Sequence, residues 1–68
     1  MTVHVNGAPR EVAEEATVAA VLSLLDMSVA SRGVAVAVDA EVVPRGRWEA
    51  THLRAGARVE ILTATQGG

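Results

Sequence analysis

The sequence closes on LTATQGG, residues 62–68, and the group there with a chemistry of its own is the terminal carboxylate of Gly68. A terminal carboxylate is ionised at neutral pH and is an oxygen nucleophile toward an activated phosphate. Gly67 and Gly68 carry no side chain, so the backbone takes any φ and passes a narrow channel. The six residues 63–68 reach about 20 Å, at roughly 3.3–3.6 Å each, far enough to bring the carboxylate into a pocket on another protein. Gln66 and Gly67 are the expected contacts along that approach. A frayed terminus has the same composition, and the residues of the tail alone do not separate the two.

The remaining chemistry-bearing residues do not assemble a competing centre. The sequence has two histidines, His4 and His52, and no cysteine, so a thiol nucleophile, a disulfide and an Fe–S cluster are excluded. His and carboxylates do not recur at ligand spacing, so no metal site is expected. Ser23, Ser28 and Ser31 have no His near them in sequence to act as base. Glu14 and Glu15 are adjacent and point apart on any regular element, while Glu11 and Glu15 read as the solvated start of a helix. Glycines 7, 33, 46 and 56 are isolated turn glycines that make no phosphate-cradling pattern. The expectation is a chain with no bound cofactor and no catalytic site of its own.

Composition narrows the setting. With 68 residues the chain makes one domain with one small core, and a formal charge of −2 with a single aromatic argues against nucleic acid. All six basic residues are arginine, so no side-chain amine is available for an isopeptide bond. The first fifteen residues lack the continuous apolar stretch of a signal peptide, and no apolar run approaches the ~20 residues that span a bilayer. A soluble, cytoplasmic protein, monomeric when free and without a membrane partner, is expected.

The elements that must carry the tail follow from local signals. VHVNGAPREV is an alternating run, Asn6 and Gly7, and a second short run, which predicts a β-hairpin with a type I′ turn. Val18, Val21, Leu22 and Leu25 recur at helical spacing behind Thr17 as N-cap, predicting one amphipathic helix of about ten residues with Glu14 and Glu15 near its positive end. MSVASRG reads as a loop. GVAVAVDAEVVP is strand, turn at Asp39 and Ala40, then strand ended by Pro44, and the two buriable rows Val34, Val36, Val38 and Ala35, Ala37 suggest a central strand. RGRWEATHLRAGA is an irregular crossover with a helical turn expected at residues 49–53 and Trp48 packing over the sheet edge. Arg45 and Arg47 beside it read as a solvated loop. RVEILTAT forms the last strand, and if Val59 and Ile61 face the helix, Leu62 faces the opposite way as a candidate docking contact beside the tail. The result is an α+β fold with a mixed four- to five-stranded sheet and one helix across it, a folded domain at 1–63 and a flexible tail at 64–68.

Taken together, VNG, TVAAVLSLL, RGVAVAVDAEVVPRGRW, THLRAGARVEI and the closing TATQGG resemble the ThiS family of sulfur carrier proteins of thiamine biosynthesis, over essentially the whole chain. The resemblance implies a ubiquitin-like β-grasp fold and a mechanism in which the Gly68 carboxylate is adenylated by a ThiF-type enzyme that consumes ATP. Sulfur from a source such as a cysteine desulfurase then makes it a thiocarboxylate, which a ThiG-type thiazole synthase uses as sulfur donor. Two positions depart from the family pattern: Asp39 and Ala40 replace an Asn-Gly turn, and Ala57 replaces an acidic residue before RVEI. A molybdopterin-synthase small subunit and a protein-conjugating ubiquitin-like modifier share the diglycine end and remain the rival readings.

Overall fold

The computed structural model describes residues 1–25 and 33–63. Strands β1 (Thr2–Val5) and β2 (Ala8–Glu11) form the first hairpin, helix α1 (Val18–Leu24) follows, β3 (Val34–Val38) and β4 (Glu41–Val43) form the second hairpin, and β5 (Arg58–Thr63) returns last. They make one five-stranded sheet in the order β2-β1-β5-β3-β4. β5 runs parallel to β1 and antiparallel to β3. One helix packs across this mixed sheet, which is the ubiquitin-like β-grasp arrangement.

Both hairpins turn where the sequence predicts. Asn6 and Gly7 have φ of 50° and 86°, and Asp39 and Ala40 have φ of 50° and 72°, so each two-residue loop places both central residues in the left-handed region. Asparagine and aspartate accept that region more readily than other residues bearing a side chain. Alanine does not, and Ala40 carries a steric cost of about 1–2 kcal/mol that a glycine avoids. Ala40→Gly is therefore expected to raise unfolding free energy by about 1 kcal/mol, net of glycine's larger entropy in the unfolded chain, as read from the urea midpoint. A lower midpoint would refute the strain.

The helix is seven residues long, shorter than expected, and its stripe is correct: Val18, Val21 and Leu22 are buried and Leu25 is half-buried. Thr17 caps it through Oγ1, which accepts from the Ala20 N–H at 3.2 Å. Glu14 and Glu15 lie in the exposed turn just before the cap, ahead of the first helical turn, which itself holds no acidic residue. Loop carbonyls complete the helix start. The Val18 N–H donates to Thr51 O at 3.0 Å and the Ala19 N–H to Trp48 O at 3.1 Å, so the crossover satisfies the donors a helix start leaves open. Glu11 is also misplaced by the sequence reading: it ends β2, where its carboxylate accepts from Thr2 Oγ1 at 3.0 Å and lies 3.5 Å from the terminal amine.

The core lies between α1 and one face of the sheet, with Val3, Val5, Val36, Val59 and Ile61 meeting Val18, Val21 and Leu22. Trp48 is its largest fully buried side chain. Its Nε1–H donates to the carbonyl of Val43 at the edge strand, 2.8 Å away, and the Arg45 guanidinium sits 4.8 Å over its ring. The helical turn of the crossover is a 3₁₀ turn at Arg45–Arg47, earlier than expected, because Pro44 starts it with its fixed φ and lacks the N–H that a strand would need. Ala57 is a buried core residue rather than an open turn position, which explains why no charged side chain stands there. β3 lies second from the edge, and its alanine row is not buried as a pair: Ala35 is exposed and Ala37 half-exposed. No helix among the described residues is long and apolar enough to cross a membrane. The loop expected at 27–33 falls, up to residue 32, outside the described residues, as do Ser28 and Ser31.

Candidate functional site

The strand that leads to the terminus occupies the middle of the sheet. β5 alternates as its composition requires: Val59 and Ile61 are buried under the helix, while Arg58, Glu60 and Leu62 point to the uncovered face. Both its edges are held by side chains from the two hairpin turns. On the β3 side, the Asp39 N–H donates to Arg58 O at 2.8 Å and Asp39 Oδ1 accepts from the Arg58 N–H at 3.0 Å. On the β1 side, Asn6 Oδ1 accepts from the Ile61 N–H at 2.8 Å and Asn6 Nδ2 donates to Ile61 O at 3.2 Å. The sequence reading took Asn6 and Asp39 only as turn formers.

Leu62 is 69% exposed on the uncovered face, where the alternation puts it. It stands opposite Ala35 of β3, and two residues along, Ala37 stands opposite Val42 of β4, which is 73% exposed. Leu62, Ala35, Ala37 and Val42 therefore make an apolar strip running from β5 across β3 to the sheet edge. Small alanines between two larger side chains leave that strip shallow and open. Sequence reasoning found Leu62 and missed Val42. The two-residue turn at Asp39 and Ala40 was the available signal, because it pairs Val38 with Glu41 and hence Ala37 with Val42.

The β1 half of the same face is polar. His4 lies opposite Arg58 in the parallel pairing, and Glu60 follows on β5. His4 and His52 are both exposed, one on β1 and the other bridged to Thr17 beside the helix start. Among the described residues no group of three or more His, Asp or Glu side chains is placed to hold a metal ion. Gln66, Gly67 and Gly68 lie outside the described residues, so of the four expected site positions the structure places Leu62.

The ThiS family profile matches residues 3–68. This chain belongs to the ThiS family. A crystal structure of the thiamine biosynthesis protein ThiS from Geobacter metallireducens is 36% identical over the whole of both chains, with a TM-score of 0.81. A solution structure of a thiamine biosynthesis protein from the same organism is 37% identical over all of this chain and 88% of the other, with a TM-score of 0.79. A search of curated proteins finds no match. As a ThiS-family member the chain is a small sulfur carrier of the thiamine pathway, and its partners are enzymes of that pathway.

Proposed function

We propose that this ThiS-family chain carries sulfur as a thiocarboxylate on Gly68. The observation that carries the reading is the reach of the family match to residue 68, which takes in the whole closing segment TATQGG. A carboxylate is a poor acyl donor because its oxygen is a poor leaving group. Attack of a Gly68 oxygen on the α-phosphorus of ATP, with loss of pyrophosphate, turns that oxygen into part of AMP, which leaves readily. The terminal sulfur of a persulfide from a cysteine desulfurase route then attacks the carbonyl carbon, AMP departs, and a thiol reductant cleaves the resulting acyl disulfide, leaving the thiocarboxylate and a disulfide. A ThiG-type thiazole synthase takes the sulfur from it.

The ATP site belongs to a ThiF-type adenylating enzyme, and the chain contributes reach and recognition. The physical support is the division of labour in the fold: a β-grasp body holds β5 on both edges, and Leu62 stands exposed directly before the terminal segment. Gln66 and Gly67 follow as the contacts nearest the reacting carboxylate. Intact mass spectrometry after incubation with a ThiF-type enzyme, ATP and a sulfur source tests the reading. The expected result is a mass gain equal to the exchange of one oxygen for one sulfur at residue 68. Gly68 linked to a lysine of another protein would instead establish a conjugating modifier, and productive transfer to a molybdopterin precursor the other rival.

Leu62 supplies the recognition prediction. Because its side chain is exposed and outside the core, Leu62→Asp should leave the melting temperature nearly unchanged. Burying the strip against the activating enzyme makes the same change costly, by the 1–2 kcal/mol or more typical of an interface anchor, so KM for the carrier should rise at least about fivefold. Steady-state pyrophosphate release measures it, and an unchanged KM removes Leu62 from the interface.

A further inference from the structure

Asn6 does more than turn the first hairpin. In the parallel pairing of β1 with β5, the His4 N–H donates to Ala57 O and the Asn6 N–H to Val59 O, both at 2.8 Å. If β1 continued, the next rungs would run from the Ile61 N–H to the carbonyl of residue 6, and from the N–H of residue 8 to the Ile61 carbonyl. Those backbone groups have turned away, because Asn6 is at φ 50° and β2 runs back along the other edge of β1. The Asn6 side chain supplies both missing rungs, accepting from the Ile61 N–H through Oδ1 and donating to the Ile61 carbonyl through Nδ2. A primary amide has the acceptor and donor of a peptide group on one planar unit, so it can stand in for one.

The turn by itself does not call for this. Glycine serves a left-handed turn position without steric cost, so the amide is in excess of what the hairpin needs. What it adds is support on the β1 edge of β5 from Val59 as far as Ile61. On the other edge β5 pairs with β3 through Thr63. Without Asn6, residues 60–63 would hang on β3 alone, and a strand end held on one edge opens more readily.

We infer that Asn6 is a positioning residue for the reaction at the terminus: by clamping Ile61 it sets the register of β5 one residue before Leu62, and with it the point and face from which 64–68 depart. This rests on the carrier reading above. A slip of one residue would send Leu62 to the helix side, and an open strand end would have to be ordered again on the partner before the carboxylate could react.

The test uses the full chain as Asn6→Gly, which keeps the turn and removes the amide, and Asn6→Asp, which keeps the acceptor and removes the donor. Each is studied at a temperature where circular dichroism shows it fully folded. For Asn6→Gly, hydrogen exchange at the Ile61 amide should speed at least about tenfold while exchange at Val36 stays as in the wild type. With a ThiF-type enzyme and ATP, KM for the carrier should rise about tenfold at unchanged kcat. Asn6→Asp should recover most of the Ile61 protection and part of the KM. Wild-type KM in Asn6→Gly, or unchanged Ile61 exchange, overturns the role of Asn6; a fall in kcat alone overturns it as well, since that places the residue in the chemistry rather than in presentation. Failure of the wild type to be adenylated overturns the carrier reading, and the exchange data still report whether the clamp exists.

Discussion

Deletion of Gly68 should abolish sulfur loading while leaving the melting temperature of the domain as it was. The deletion shortens the chain by roughly 3.3–3.6 Å and moves the carboxylate back by that distance. A misplacement of about 1 Å at a reacting centre already costs on the order of 100-fold, so thiocarboxylate formation should fall by more than that factor. Intact mass spectrometry against time, with a ThiF-type enzyme, ATP and a sulfur source, reads the loss. Because no residue before 64 changes, thermal unfolding followed by circular dichroism should superpose on the wild type. Loading of the truncated chain at the wild-type rate would remove Gly68 from its role.

Trp48→Ala should have the opposite signature, with a large loss of stability arising in the core. Trp48 is 2% exposed and is the largest of the fully buried side chains. Truncating a buried tryptophan to alanine costs about 3–5 kcal/mol in transfer free energy and residual cavity. The Val43 carbonyl also loses its Nε1–H donor, and Arg45 loses the ring beneath it. A domain of 68 residues has in total about 3–10 kcal/mol, at roughly 0.05–0.15 kcal/mol per residue. The variant should therefore be largely unfolded at 37 °C, or stable only near its temperature of maximum stability. Since Trp48 is the sole tryptophan, urea unfolding is followed by circular dichroism. A midpoint near the wild type would mean that the crossover repacks without the ring. Trp48→Phe, which keeps most of the apolar volume and loses the hydrogen bond, should fall between the two.

The two variants separate the body from the terminus. Stability rests on a small core closed by one large ring, and the proposed chemistry rests on residues beyond the end of β5. Such a separation suits a protein whose reaction occurs in another protein's pocket.

Several features were legible in the order of residues, for identifiable reasons. The two turns announce themselves because a left-handed φ at two successive positions restricts the residue types to a short list, and Asn6 with Gly7 satisfies it outright. The stripe Val18, Val21, Leu22 and Leu25 has a helical period that no strand shares. Leu62 follows from alternation once Val59 and Ile61 are assigned inward. The errors have equally local causes. That Thr51 and Trp48 reach the helix start from the crossover was missed, because they do so through backbone carbonyls that have no residue-type signature. The helical turn of that crossover was sought at residues 49–53 and forms at Arg45–Arg47, where Pro44 begins it.

By itself the sequence determined the strands, the main helix, the two hairpin turns and the diglycine segment, since each depends on neighbours within a few positions. Only the tertiary structure decided that β5 slots between β1 and β3, with His4 beside Arg58, 54 positions later in the chain (58 − 4 = 54). From that placement came the apolar strip joining Leu62 to Val42 and the bonds from Asn6 to Ile61. These are contacts between distant segments, and their energy comes from burial and from completing each other's hydrogen bonds. No property of the separate segments names their partners.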